Sequence, residues 1–308
     1  MIITVTLNPA LDRIIYLESF SPGKLNRCEK VVVRAGGKGI NTARVLKTLG
    51  VEVEAFGILG AYTGDKLRDL LAEEGISSEL TSSSYISREN IKIVEENGRE
   101  TEINQKGEAD YKSYQELKCK LEEKLEIAEL LILSGSLPIG LPTDIYEKLI
   151  LTAREYDVKT VLDSSGLPFR QGLEGKPFLI KPNITELSEL MGLDFDKSTD
   201  IFQAAVELIK KGIENVVIST GVEGAIFVNQ FEAYQIIPPL ISITETTVGA
   251  GDSMVAGLAS AIINKLDFLE MAKYSTAVAS LYVSGEEISE SQINMMKNRL
   301  KVVEGVIF

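Results

Sequence analysis

Apolar strand-like runs and segments of helical spacing alternate along most of this chain, and no other feature restricts its fold as much. Such alternation is read as an α/β architecture with a mainly parallel sheet. The strand signals are Ile2–Leu7, Val53–Ile58, Leu130–Leu133, Val158–Leu162, Phe178–Ile180, Val216–Ile218 and Ala225–Val228. Between and after them, helical patterns cover Gly39–Leu49, Asp65–Glu74, Thr143–Tyr156, Ile201–Lys211, Ala250–Asn264, Leu269–Val283 and Ser291–Leu300. The first places Ile40, Ala43, Leu46 and Leu49 on one face and stops at Gly50; the second stops at Gly75. Tyr16–Val33 and Arg88–Asn104 break the rhythm as β-segments without intervening helices. The second contains Glu96-Asn97-Gly98-Arg99, a hairpin signal. These interruptions predict a small β-sheet lid, with strands within about 13–34 and 88–104, on one domain spanning 1–308. No repeat or linker suggests a second domain.

The acids outnumber the bases 45 to 32, a net charge of −13, which disfavours a general nucleic-acid binder but not local binding of small anions. Histidine is absent. That excludes Ser-His-Asp hydrolases, Cys-His proteases, HExxH metalloproteases, zinc deaminases and the HRD loop of protein kinases. Proton transfer must then use Asp, Glu, Lys, Tyr or Cys. Cys28 and Cys119 are too far apart in sequence for a zinc knuckle and read as reduced thiols of a cytoplasmic protein. Met1–Leu7 reads as a strand rather than a signal peptide, and no apolar run reaches the ~18 residues of a membrane span.

Several polar motifs stand where these elements meet. Thr247-Val248-Gly249-Ala250-Gly251-Asp252-Ser253 opens an apolar helix. Its glycines let backbone amides converge, and the helix N-terminus adds unpaired N–H groups and the positive dipole end. Asp252 there can cap the helix or serve as a general base beside an anion, and the two roles do not exclude each other. Ala35-Gly36-Gly37-Lys38-Gly39-Ile40-Asn41 precedes another helix: either a ligand-approaching loop, with Lys38 for phosphate and Asn41 for hydroxyls, or an ordinary strand–helix turn. It matches neither a Walker A loop nor a GxGxxG fingerprint. Asp12 follows the first strand and reads as a hydroxyl acceptor or a turn residue. Arg88, Asn90 and Lys92 alternate onto one strand face, as a phosphate and hydroxyl clamp or a solvated surface. Asn183 and Glu186, after Lys181, suit either a water-mediated Mg²⁺ or a capping box. Ser219 through Gly224 is a phosphate cradle or a hairpin turn.

The order and spacing of Asn8-Pro9-Ala10-Leu11-Asp12, the Gly36–Asn41 segment, Leu133-Ser134-Gly135-Ser136, Asp163-Ser164-Ser165-Gly166, Lys181-Pro182-Asn183 with Glu186, and the Thr247–Ser253 motif resemble the ribokinase-type (PfkB) sugar kinases across nearly the whole chain. The nearest branch holds 1-phosphofructokinases, tagatose-6-phosphate kinases and minor 6-phosphofructokinases. The resemblance implies a ribokinase-like, doubly wound, mainly parallel sheet flanked by helices, with a β-sheet lid that often forms a homodimer contact. It implies ATP and Mg²⁺ as cofactors. It implies Asp252 as the base, with Gly249, Ala250 and Gly251 as the anion hole. Asp12, Gly37 and Asn41 would hold sugar hydroxyls. Lys38 and Arg88, helped by Asn90 and Ser136, would hold the substrate's phosphate. Lys181, Asn183, Glu186, Ser219 and Gly221 would serve the nucleotide, with Asn183 and Glu186 reaching Mg²⁺ through water. The Asn90-Ile91-Lys92 sequence after Arg88, with Thr101-Glu102-Ile103-Asn104, resembles the 1-phosphofructokinase pattern, which implies fructose 1-phosphate as acceptor ahead of tagatose 6-phosphate and then fructose 6-phosphate.

Overall fold

The structure, a computed structural model, describes residues 1–195, 198–241 and 249–305. Thr247 and Val248 of the helix-opening motif lie outside the described residues. From the N-terminus, β1 (Ile2–Thr6) leads into β2 (Ala10–Leu17), β3 (Lys30–Gly36), α1 (Lys38–Thr48), β4 (Val53–Gly60), α2 (Ala61–Glu73) and β5 (Ser78–Ser83). Next come β6 (Arg88–Glu95), β7 (Glu100–Asn104), α3 (Tyr111–Leu125), β8 (Leu130–Ser134), α4 (Ile145–Glu155), β9 (Lys159–Asp163) and α5 (Gly166–Gly172). They are followed by β10 (Leu179–Ile180), α6 (Ile184–Met191), α7 (Ser198–Lys210), β11 (Asn215–Ser219), β12 (Ala225–Asn229) and β13 (Ala233–Ile237). The chain closes with α8 (Ala250–Ile263), α9 (Phe268–Ser284), α10 (Glu290–Lys297) and β14 (Lys301–Glu304).

Among the described residues, ten strands form the larger sheet, in the order β14-β13-β12-β11-β10-β9-β8-β1-β4-β5. From β11 through β5 the neighbours are parallel, while β12, β13 and β14 add an antiparallel edge. The central strands are apolar at successive positions because both of their faces are covered. Leu130 and Ile132 of β8 point into one core, with residues of α1, α2, α8, α9 and α10. Leu131 and Leu133 point into the other, with α3, α4, α6 and α7. The expected doubly wound arrangement is therefore present.

A second sheet, β3-β2-β6-β7, stands apart from the first. β2 pairs antiparallel with β3 and parallel with β6, and β6 turns back into β7 at the expected hairpin. Its strands begin at Ala10 and close at Gly36, wider than the sequence reading. Residues 18–29, inside the expected Tyr16–Val33 segment, form the connection between β2 and β3 rather than a strand. Asp12 is a strand residue and not a turn residue. Cys28 and Cys119 are exposed and unpaired. Among the described residues, no helix is long and apolar enough to cross a membrane.

Candidate active site

Parallel α/β sheets open a crevice where consecutive connections leave in opposite directions, beyond the carboxyl ends of the strands. Here that point lies between β1 and β8. The residues that follow these two strands are joined across it: Asn8 Nδ2 donates to Ser136 Oγ (3.1 Å) and to the Lys106 carbonyl (2.8 Å). Gly36 and Gly37 bring the chain back from the second sheet to the same end. A Cβ on Gly36 would overlap the Asp12 carboxylate, and Gly37, the N-cap of α1, has φ 121°. Gly36 leaves room for the Asp12 carboxylate, and Gly37 lets the start of α1 pack on Thr6 and Pro9.

α8 starts from Gly249, which is left-handed (φ 92°) and packs so closely on Tyr282 that a Cβ would lie 2.6 Å from its hydroxyl. Asp252 sits in the first turn of this helix; Gly249 holds the N-cap position, and among the described residues the Asp252 side chain makes no capping hydrogen bond. Its carboxylate instead accepts a hydrogen bond from Asn41 Nδ2 at 2.8 Å, the one side-chain donor to it among the described residues. Thr42 Oγ1 donates to the Asp252 carbonyl (3.3 Å), pinning α1 to α8. Asp252 is 7% exposed. Burial, with the nearby Asp163 charge, pushes its pKa up to about 6, against the opposing pull of Asn41, Lys38 and Lys181.

Beside it stands a charge cluster built around the buried Asp163 and Lys181, with Lys38 half-buried. Lys38 Nζ and Lys181 Nζ lie 3.2 and 3.3 Å from the same oxygen of Asp163, at the end of β9. Lys38 is also 3.7 Å from Glu186. Burial disfavours the Lys38 charge, but Asp163, Glu186 and Asp252 outweigh it and hold its pKa above the ordinary lysine value. Burial likewise works against the Asp163 charge, and the two lysines reverse that effect and keep its pKa low. Asp163 Oδ2 is buried with no hydrogen-bond partner among the described residues. Lys181 also approaches the helix start, since a Cβ on Gly251 would lie 3.4 Å from its ammonium.

Asn183 and Glu186 form a reciprocal capping box on α6, with Asn183 Oδ1 accepting from the Glu186 amide (2.8 Å) and Glu186 Oε2 from the Asn183 amide (2.9 Å). Ser219 runs beside Asn183 in a parallel bridge, and Gly221 opens a short 3₁₀ turn between β11 and β12. These residues and Lys181 thus share one end of the sheet.

The second sheet brings Asp12, Arg34 and Asn90 into register on one face. Asn90 Nδ2 donates to Asp12 Oδ1 (3.0 Å). Burial raises the Asp12 pKa, against Asn90, Arg34, Arg88 and Arg44. Asn90 Oδ1 and Arg34 Nε are buried without hydrogen-bond partners among the described residues. Arg88 donates to the carbonyls of Asn8 and Gln105 (both 3.1 Å). Burial lowers its pKa, and Asp12 acts in the other direction. Lys92 pairs with Glu100 across the hairpin at 2.7 Å.

The expected residues thus fall into two groups: Asp252, Asn41, Lys38, Lys181 and the Asn183–Glu186 box on the larger sheet, and Asp12, Asn90 and Arg88 on the second, with Ser136 tied to Asn8 between β1 and β8. Sequence reasoning gave no role to Asp163, Arg34 or Arg44. Asp163 was detectable as a carboxylate closing a predicted strand, the ligand-binding end of such sheets. A hollow of about 480 Å³ borders Arg88 and Lys106. The larger cavity of about 570 Å³ lies at the opposite end of the strands, by Lys159 and Asn215, away from all these groups.

Residues 5–294 match the family described as pfkB family carbohydrate kinase. A 1-phosphofructokinase of Borreliella burgdorferi is 39% identical over 282 residues, covering 91% of each chain. A tagatose-6-phosphate kinase of Staphylococcus epidermidis is 34% identical over 311 residues, covering 99% of this chain and 100% of that one. Among solved structures, phosphofructokinase-2 from Escherichia coli in complex with substrates and products superimposes with a TM-score of 0.88 at 29% identity, covering 96% of this chain and 98% of the other.

Proposed function

Since the chain belongs to the pfkB family of carbohydrate kinases and is a sugar-phosphate kinase, we propose that it transfers the γ-phosphoryl group of ATP to fructose 1-phosphate, giving fructose 1,6-bisphosphate and ADP. The observation that carries this reading is the buried Asp252 carboxylate at the start of α8, tied to Asn41 and flanked by two lysines. Asp252 takes the proton of the acceptor hydroxyl as its oxygen bonds to the γ-phosphorus. The bond from that phosphorus to the β,γ-bridging oxygen breaks, and ADP leaves. Phosphoryl transfer needs positioning and charge stabilisation more than covalent help. The amides of Gly249, Ala250 and Gly251 face the moving phosphoryl oxygens, with Lys181 beside Gly251.

Asp12, Gly37 and Asn41 contact sugar hydroxyls in this reading. The unpartnered Asn90 Oδ1 and Arg34 Nε next to Asp12 support a polyol ligand at that face. Arg88, Lys38 and Ser136 hold the phosphate that stays on the sugar. Lys181, Asn183, Glu186, Ser219 and Gly221 serve the nucleotide. Asn183 and Glu186 have one oxygen each committed to the capping box. No cluster of three or more metal-binding side chains exists among the described residues. This donor set fits Mg²⁺ held through waters and nucleotide phosphates. Mg²⁺ bound there would neutralise phosphate charge. The whole chain acts as one kinase domain in the cytoplasm, paired through its second sheet as a homodimer.

Tagatose 6-phosphate is the second reading, favoured by the 34% identity to the Staphylococcus epidermidis enzyme. The test is ADP release with Mg-ATP on fructose 1-phosphate, tagatose 6-phosphate and fructose 6-phosphate in parallel. Fructose 1-phosphate is expected to give the highest kcat/KM. A higher value on tagatose 6-phosphate moves the assignment there, and negligible rates on all three refute it.

A further inference from the structure

We propose that Arg44, clamped by Glu74, is a positioning residue that fixes the Asn41 side-chain amide so that its NH₂ group, and never its oxygen, faces Asp252. The inference rests on Asp252 being the base.

Asn41 and Arg44 are three residues apart on α1 and so share a face. Arg44 Nε and Nη2 form a two-pronged pair with Glu74 (2.6 and 3.0 Å), which follows α2. Nη2 also donates to the Ala35 carbonyl of β3 (2.8 Å), and Nη1 donates to Asn41 Oδ1 (2.8 Å). A guanidinium carries only donors, so the Asn41 atom facing it must be the carbonyl oxygen. The amide nitrogen then points the other way, to Asp252 Oδ2 at 2.8 Å.

The alternative orientation would set a carbonyl oxygen against the carboxylate, which is tolerable only if Asp252 is protonated and donates. Arg44 therefore selects the ionised, proton-accepting form of Asp252 without touching it. The other charged groups acting on Asp252 are Asp163 from β9, Lys38 from α1 and Lys181 after β10. None of them touches Arg44, although Asp12 on β2 senses its charge.

The test is the acid limb of kcat/KM against pH, measured on wild type, Arg44→Met, Arg44→Lys and Glu74→Gln, with Asp252→Asn as reference. Arg44→Met is expected to move the limb to higher pH by about one unit, and Arg44→Lys, which can still donate to Asn41, to recover part of that shift. Should Arg44→Met fail to fold, Glu74→Gln keeps the guanidinium in place, loosens its clamp, and is expected to shift the limb in the same direction by less. A folded variant with lowered activity and an unmoved limb overturns the relay. If Asp252→Asn abolishes turnover while the limb stays unmoved, only the relay falls. If Asp252→Asn turns over normally, the base assignment falls and removes the ground for the relay.

Discussion

Burial and Asp163 raise the Asp252 pKa, while Asn41, Lys38 and Lys181 keep it from rising further, as the proposed role of a general base requires. With a value of about 6, the carboxylate is mostly ionised at neutral pH and strong enough to accept a proton. Activity should therefore be present above that value and fall as pH drops through it, because the protonated form cannot act as a base. A profile of kcat/KM against pH checks this, and a limb near the ordinary aspartate value of about 4 would show that burial does not act as described. The Gly-Ala-Gly-Asp sequence alone marks Asp252 as a candidate base. Its surroundings did not follow from local pattern, because Asn41 is 211 residues away in sequence and the Lys38 to Asp163 pair spans 125. The N-cap position itself falls to another residue for a local reason. Gly249 takes the cap position in a left-handed conformation, which leaves the Asp252 side chain to Asn41.

At the scale of elements, the α6 start realises the capping box that the sequence offers. The Asn183–Glu186 box satisfies two backbone amides that would otherwise lack partners. Asn183→Ala is expected to cost about 1 kcal/mol of stability, read by denaturant titration without nucleotide; an unchanged midpoint would mean that the cap is structurally idle. The parallel strands were legible because burial on both faces makes them continuous apolar runs. β5, reading Ser-Glu-Leu-Thr-Ser-Ser at the sheet edge, carries no such run and was missed. α3 was missed as well, its buried Tyr114, Leu117, Leu121 and Leu125 being diluted by lysines and glutamates. β2 begins earlier than expected because Asp12 and Arg13 interrupt its apolar pattern with side chains used elsewhere: Asp12 meets Asn90, and Arg13 meets Glu89 at 2.6 Å.

For the whole molecule, a net charge of −13 coexists with a site rich in cations, since Lys38, Lys181, Arg34, Arg44 and Arg88 converge from both sheets around Asp12, Asp163 and Asp252. The second sheet sets Arg34 and Asn90 on either side of Asp12, whereas strand periodicity alone places only Arg88 and Asn90 of these side chains on a common face. Lys92, part of the same sequence pattern, shares its charge with Glu100, so the pattern named the row of residues without giving their charge balance. In the proposed mechanism Asp252 removes the acceptor proton. Its most direct test compares Asp252→Asn with wild type for kcat on the best phosphosugar, alongside calorimetric binding of that sugar and of ATP. A folded variant that binds both ligands with near-normal affinity and loses about 10²–10⁴ in kcat is expected; near-normal kcat in that variant would rule Asp252 out as the base.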